Sequence, residues 1–205
     1  MAEKVDLRRT VDGYRAKPGV FELIDLPPRC YLMVDGHGDP NTSADFTTAV
    51  EVLYQVAYAL KFASKADGRD YVVPPLEGLW WSDDMATFTS ERDKSRWSWT
   101  LLNLVPDWLD DAAFDTALDR VRDRRAPDRL GDLRLETLDE GRCVQVLHVG
   151  AYDDEAEVLA RMHDEVIPSE GMRMTGRHHE IYLSDQRRVA PEKRRTILRQ
   201  PVAPA

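Results

Sequence analysis

The sequence predicts an α+β fold: an antiparallel sheet with helices on one face, built from two strand–strand–helix–strand repeats with a ligand groove between them. Three observations predict it. A strand–turn–strand pattern at Phe21–Gly36 (FELIDLPPRCYLMVDG) returns at Leu133–Gly150 (LRLETLDEGRCVQVLHVG), with Arg29-Cys30 and Arg142-Cys143 in equivalent places about 113 residues apart. A helical pattern follows each of the two, and strand-like sequence follows each helix. An antiparallel sheet in such a chain covers one face with helices and leaves the other to line a groove.

In the first repeat, Pro27-Pro28 marks a hairpin turn and Cys30–Val34 an apolar strand. Asn41, Thr42 or Ser43 can cap the helix that follows, and Phe46, Val50, Leu53, Tyr54, Ala57 and Leu60 keep the spacing of one helical face. Leu76–Trp81 and Trp97–Val105 then read as strands. A helix over about 110–124 bridges the repeats, limited by Pro127. In the second repeat Glu140-Gly141 marks the turn. Asp153 or Asp154 can cap a helix carrying Ala156, Leu159, Ala160, His163 and Val166, and His178–Ser184 is the closing strand. The expected organisation is a single domain over 1–205, with repeat one at about 19–105, repeat two at about 106–186 and a solvated basic tail at 187–205.

The chain has 205 residues, 42% hydrophobic and 32% charged, with a net charge of −9. Phosphate-backbone binding needs a positive surface, so nucleic acid is not an expected partner. No apolar run approaches the roughly 18 residues that span a bilayer, and MAEKVDLRR lacks the apolar stretch of a secretory signal. The expectation is a cytoplasmic monomer. Cys30 and Cys143 are too few for a disulfide scaffold or a cysteine-based zinc site and read as small core residues.

In His178–Ser184 (HHEIYLS) side chains alternate between faces. Ile181 and Leu183 are expected to face the helices. Glu180, Tyr182 and His178 are expected on the face the helices leave open. Glu and Tyr are common on solvated strand faces, but the aromatic residues argue for a binding surface. Four of the five tryptophans, Trp80, Trp81, Trp97 and Trp99, fall within about twenty residues. Adjacent Trp80 and Trp81 point to opposite faces and cannot both enter one core. Flat rings beside a carboxylate would stack on a flat ligand and attract a cation. His37, in the turn after the first apolar strand, is a candidate at the rim. His178 and His179 point opposite ways, so at most one joins Glu180, too few ligands for a metal; no metal or cofactor is expected. Gly36 and Gly38 fit neither a P-loop nor a dinucleotide fingerprint, and no GxSxG elbow is present.

These residues resemble a known family. DGHGDPN at Asp35–Asn41, PPLEGLWW at Pro74–Trp81, WSWTLLNLVPD at Trp97–Asp107 and HHEIYLSD at His178–Asp185 resemble the GyrI-like small-molecule-binding proteins, best their stand-alone branch without a DNA-binding domain. The resemblance runs from about Val5 to Val202. It implies two repeats related by a pseudo-twofold axis with a ligand channel between them. Relatives in multidrug-responsive regulators bind lipophilic aromatic cations against a buried Glu, and Glu180 lies on the matching motif. The stand-alone branch includes enzymes that hydrolyse the cyclopropane of DNA-alkylating antibiotics. By that resemblance Glu180 would activate water, and Tyr182 or Tyr152 would hydrogen-bond the substrate carbonyl. The first expectation is therefore binding or sequestration of flat, hydrophobic aromatic small molecules, contacted by Trp80, Trp81, Trp97, Trp99, Tyr152, Glu180, Tyr182 and His37. The second is a hydrolase with Glu180, Tyr182 and Tyr152 in the catalytic roles. A gyrase-inhibiting protein partner ranks third. A transcription factor is disfavoured, since only about twenty residues precede the first strand pair.

Overall fold

The structure, a computed structural model, describes residues 4–82 and 93–205. The fold is α+β, and the chain forms two compact units: Met1–Val11, Arg29–Pro74 and Trp81–Leu138 in the first, Asp12–Pro28, Pro75–Trp80 and Asp139–Ala205 in the second. The units interleave along the chain.

In the first unit β1 (Val5–Asp6) leads into a single helical turn, α1 (Leu7–Thr10). The antiparallel core of the unit is β3 (Arg29–His37) between β6 (Ser98–Leu104) and β7 (Arg134–Leu138), while β4 (Tyr71–Val72) pairs in parallel with β1. Helix α2 (Ala44–Ala66) packs on β3 and β6, and α3 (Asp111–Arg125) packs on α2. Of the three candidate caps, Ser43 accepts from the Phe46 N–H at 3.3 Å, and Asp110 caps α3 from the Ala113 N–H at 2.9 Å. The buried stripe of α2 is Ala49, Val52, Leu53, Val56, Ala57 and Leu60, with Val50 and Tyr54 at its margin.

The second unit is a five-strand antiparallel array in the order β2 (Glu22–Leu26), β8 (Gly141–Val149), β11 (Arg195–Pro204), β10 (His178–Tyr182) and β5 (Glu77–Trp81). A short β9 (Met172–Met174) is added on β11. Residue Trp81, at the end of β5, counts with the first unit. A helical segment runs through α4 (Glu155–Ala160), a π turn (Arg161–Val166) and α5 (Ile167–Ser169). Asp154 precedes α4 but makes no side-chain cap. Met162 and Ile167 of this segment are fully buried among Val144, Val146, Leu198 and Val202. They lie five residues apart, the spacing that the i→i+5 turn brings to one face. Consequently the core residues are not those of a regular 3.6 period: Ala156 and Ala160 are exposed.

Two expectations change here. The strand pairs flanking Pro27-Pro28 and Glu140-Gly141 are not hairpins. Instead β2 pairs with β8, Leu26 opposite Gly141, and β3 pairs with β7, Arg29 opposite Leu138. A two-residue hairpin turn needs positive φ at its centre, which the proline ring forbids, and Pro-Pro also removes two donors. The expected tail at 187–205 is the second correction. Arg195–Pro204 is β11, with seven buried residues in a row between β8 and β10. Thr196, Ile197 and Val202 are good strand formers, and the basic residues around them concealed the pattern.

Candidate functional site

Strand β10 carries Glu180, Tyr182 and His178, so its register decides what faces what. Glu180 is paired with Leu198 on one side and Gly78 on the other, and Leu198 is in turn paired with Val146. Paired residues in an antiparallel sheet share a face. Leu198 and Val146 pack on Met162 and Ile167, so Glu180, His178 and Tyr182 lie on the helix-bearing face of this unit, with Trp80 and Gly78 beside them. This corrects the expectation that Ile181 faces the helices and Glu180 the open side. Alternation assigns residues to shared faces; the apolar residues of β8 and β11 decide which face the helices cover.

On that face a chain of hydrogen bonds ends on the carboxylate. The Trp80 indole N–H donates to Tyr182 Oη at 3.1 Å, and the Tyr182 hydroxyl donates to Glu180 Oε2 at 2.7 Å. Trp80 reaches Tyr182 because Gly78 has no side chain: a Cβ there would sit 2.8 Å from the indole nitrogen. The Tyr152 ring meets Tyr182 edge-on at 5.7 Å, and the Arg194 guanidinium lies 5.3 Å from the Tyr152 ring. His178 Nε2 stands 3.5 Å from Glu180 Oε1, both side chains 14% exposed. The ring of His163, from the π turn, lies edge-on to that of His178 at 6.2 Å. Burial, then the negative charge of Glu180, hold the Tyr182 phenol well above its ordinary range. Burial is also the main reason that Tyr152 is pushed up to about 12. His163 is pushed down to about 4 by burial and by His178. Both phenols and the His163 imidazole are therefore neutral at pH 7.

Chemically, Tyr182 already spends its proton on Glu180, so it holds the carboxylate in place. Among the described residues no hydrogen bond engages the Tyr152 hydroxyl, which leaves Tyr152 as the phenol with a donor to offer. No lysine or arginine among the described residues pairs with Glu180; its ion-pair neighbour is the imidazole of His178.

The opposite face of the same strands carries charged residues that the sequence did not reveal. His179, fully buried, stands between two carboxylates, with Nε2 3.0 Å from Glu77 Oε2 and Nδ1 2.9 Å from Glu140 Oε1. Arg199 donates to Glu140 at 3.0 Å and to the Gly13 carbonyl at 2.7 Å. The Tyr14 hydroxyl donates to Glu77. Burial opposes charge on both His179 and Glu140, but their mutual attraction wins: His179 rises to about 9 and Glu140 falls to about 2. The cluster sets the His179 and Arg199 cations against Glu140, with Glu77 beside His179, all four side chains nearly inaccessible to water. Its only sequence trace is a charged residue inside otherwise apolar strands, Glu77 in PLEGLWW and Arg199 in ILRQPV.

The remaining candidates lie in the first unit. Trp99 has no exposed surface: its indole lies over Gly36, where a Cβ would come within 2.0 Å of the ring, meets Phe46 edge-on at 5.1 Å and donates to the Gly38 carbonyl at 3.3 Å. It is a core residue. Trp97 precedes β6 instead of joining it, with the Lys94 ammonium 5.8 Å from its ring. Trp97 and Trp81 are half-buried, and His37 is exposed at the end of β3. Cys30 is half-buried and Cys143 buried, both as free thiols. The described residues contain no cluster of three or more His, Cys, Asp or Glu that could hold a metal ion. No helix among them is long and apolar enough to cross a membrane.

The second unit thus holds a carboxylate among aromatic rings. The GyrI-like small molecule binding domain model matches residues 20–203, so the chain belongs to that family. It is similar to an uncharacterized conserved protein from Listeria innocua, 37% identical over 98% of this chain and all of that one, with a TM-score of 0.88. It is similar as well to two Listeria innocua chains described as hydrolases. One is 37% identical with a TM-score of 0.84, the other 36% identical with 0.85, and each alignment covers 98% of this chain and all of the relative. No curated protein matches the chain.

Proposed function

We propose that the second unit binds flat, lipophilic aromatic cations, with Glu180 as the counter-charge and Trp80, Tyr152 and Tyr182 as its aromatic surround. The observation that carries this reading is a carboxylate that has no lysine or arginine partner among the described residues and is held by the Tyr182 hydroxyl at 2.7 Å. Glu140, 6% exposed, has both Arg199 and His179 to neutralise it. Glu180, 14% exposed, keeps its negative charge available to a visitor. Aromatic faces add cation–π attraction to the Coulomb term. In this reading the protein works as a cytoplasmic monomer that sequesters its ligand.

A second reading is favoured by the two relatives described as hydrolases. Here Glu180 would take a proton from water as it attacks a strained electrophilic ring, such as the cyclopropane of an alkylating antibiotic. Tyr152, the phenol with a donor to offer, would then stabilise the developing oxyanion.

One experiment separates the two. Wild type and Glu180→Gln are titrated with a fluorescent aromatic cation and, separately, incubated with a cyclopropane-bearing alkylator followed by mass spectrometry. Micromolar cation binding that weakens about tenfold or more in Glu180→Gln, with the alkylator intact, is the expected result; charged hydrogen bonds and pairs are worth that much in partly buried sites. Ring opening with a mass gain of one water, lost in Glu180→Gln, would replace binding by hydrolysis. Equal behaviour of wild type and variant in both arms would refute both roles of Glu180.

A further inference from the structure

We propose that the outer face of α2 pairs with α2 of a second copy of this chain, antiparallel, with the two-fold axis passing through Tyr58. The pairing is a property of the first unit. Glu180, Trp80, Tyr152 and Tyr182 all lie in the second unit of one chain, so ligand binding and pairing are independent.

Three observations lead there. First, α2 presents aromatic surface to water. Its inner side, with Val52, Leu53, Val56, Ala57 and Leu60, is buried. On its outer side Tyr54, Tyr58 and Phe62 form a ladder at intervals of four, with ring centroids 6.3 and 6.2 Å apart. Tyr54 is half-buried. Tyr58 and Phe62 are 47% and 53% exposed, more than any other large apolar side chain among the described residues. Aromatic neighbours four apart stabilise their own helix only slightly, so the ladder alone does not account for the exposure. Apolar side chains gathered on one face, unlike scattered ones, mark a surface that binds.

Second, this face is chemically symmetric about Tyr58. Tyr54 stands four positions before it and Phe62 four after; Glu51 stands seven before it and Lys65 seven after. At 100° per residue these five positions fall within about 80° of the helix circumference. Two such helices laid antiparallel about Tyr58 bring Tyr54 against Phe62 of the second copy and Glu51 against Lys65 of the second copy. Each contact is made twice, as a closed two-fold interface requires. Parallel helices in register would instead set Glu51 on Glu51 and Lys65 on Lys65, which repels. The symmetry commits the face to a second copy, because an unrelated partner has no need of a pattern that reads the same from both ends.

Third, the charges at both ends are available. Glu51 is exposed and makes no ion pair among the described residues. Lys65, 58% exposed, lies 3.8 Å from Asp70, whose closer partner is Lys61. Aromatic rings at the centre with charges at the margin is the arrangement of protein interfaces. The contact runs about 21 Å along each helix, which places it among the small interfaces of transient complexes.

The test is sedimentation equilibrium on the full chain. Wild type is expected to dimerise with a Kd of roughly tens of micromolar and to be a monomer well below that concentration. Tyr58→Glu sets two carboxylates together at the axis and abolishes pairing. Glu51→Lys and Lys65→Glu each bring like charges together at two places, and each alone weakens pairing about tenfold. An equimolar mixture of these two variants restores opposite charges at both contacts and pairs again with a Kd near that of wild type. Within one chain positions 51 and 65 are about 21 Å apart, so only contact between chains gives this rescue. The rescue also shows that both variants are folded. A wild type that stays monomeric at several times that concentration overturns the proposal and leaves the face to another partner. Pairing that survives Tyr58→Glu, or a mixture as weak as its components, overturns it as well.

Discussion

Replacing Glu140 by Ala is the sharpest test of the energetics read from these contacts. The substitution removes the group that holds both His179 and Arg199, whose nitrogens approach each other to 3.5 Å. Arg199 would be left without a carboxylate partner and His179 with Glu77 alone, where the Arg199 and His179 side chains are 4% and 0% exposed. Breaking a buried pair from one end costs about 3–5 kcal/mol, because the other charge is stranded. The raising of His179 from 6.5 to about 9 gives a similar figure, about 3 kcal/mol. The lowering of Glu140 from 4.5 to about 2 is the same interaction seen from its other end and is not added to it. Against a total stability of about 5–15 kcal/mol this is a large share, equivalent to a fall in Tm of roughly 6–20 °C for a chain of this size. Urea denaturation followed by tryptophan fluorescence at pH 6 measures it. A loss below about 1 kcal/mol would refute the view that this cluster is a coupled, water-free network. The pH dependence has a definite sign at each end. His179 gains its proton's stabilisation in full below pH 6.5 and loses it as the pH rises through about 9; Glu140 contributes fully above pH 4.5 and loses its share as the pH falls towards about 2. Wild type should therefore be most stable between those limits, and Glu140→Ala should show a flatter profile.

Gly78→Ala puts a methyl group 2.8 Å from the Trp80 indole nitrogen and should swing the ring away from Tyr182. Cation binding is expected to weaken several-fold at a stability cost of about 1–3 kcal/mol, read by dye titration beside urea denaturation; unchanged binding would show that Trp80 does not position Tyr182. Gly36→Ala drives a methyl group into the Trp99 ring, 2.0 Å away in the present geometry. It should destabilise the first unit by about 3 kcal/mol or more by overpacking, seen as a lower denaturation midpoint and exchange-labile amides in β3 and β6.

Local patterns in the sequence were enough for much of this. The apolar spacing over Phe46–Leu60 announces α2, Asp110 announces the start of α3, and alternation in HHEIY puts Glu180 and Tyr182 on one face of β10. The motifs from Asp35 to Asp185 identify the family. Each of these depends on residues within a few positions of one another, so the physics is readable along the chain. Tertiary structure alone decided the rest. Pairing of β2 with β8 and of β3 with β7 joins strands more than a hundred residues apart, and no local signal distinguishes that from two hairpins. Whether 187–205 is a tail or a central strand depends on what β8 and β10 offer Arg195–Pro204 as partners. Alternation could not say which face of β10 the helices cover, because Val144, Val146, Leu198 and Val202 make that choice from other strands. The charged cluster draws Tyr14, Glu77, Glu140, His179 and Arg199 from five separate segments. A buried charge is tolerable only when its partners arrive from elsewhere in the fold, and so it is invisible until the chain is folded.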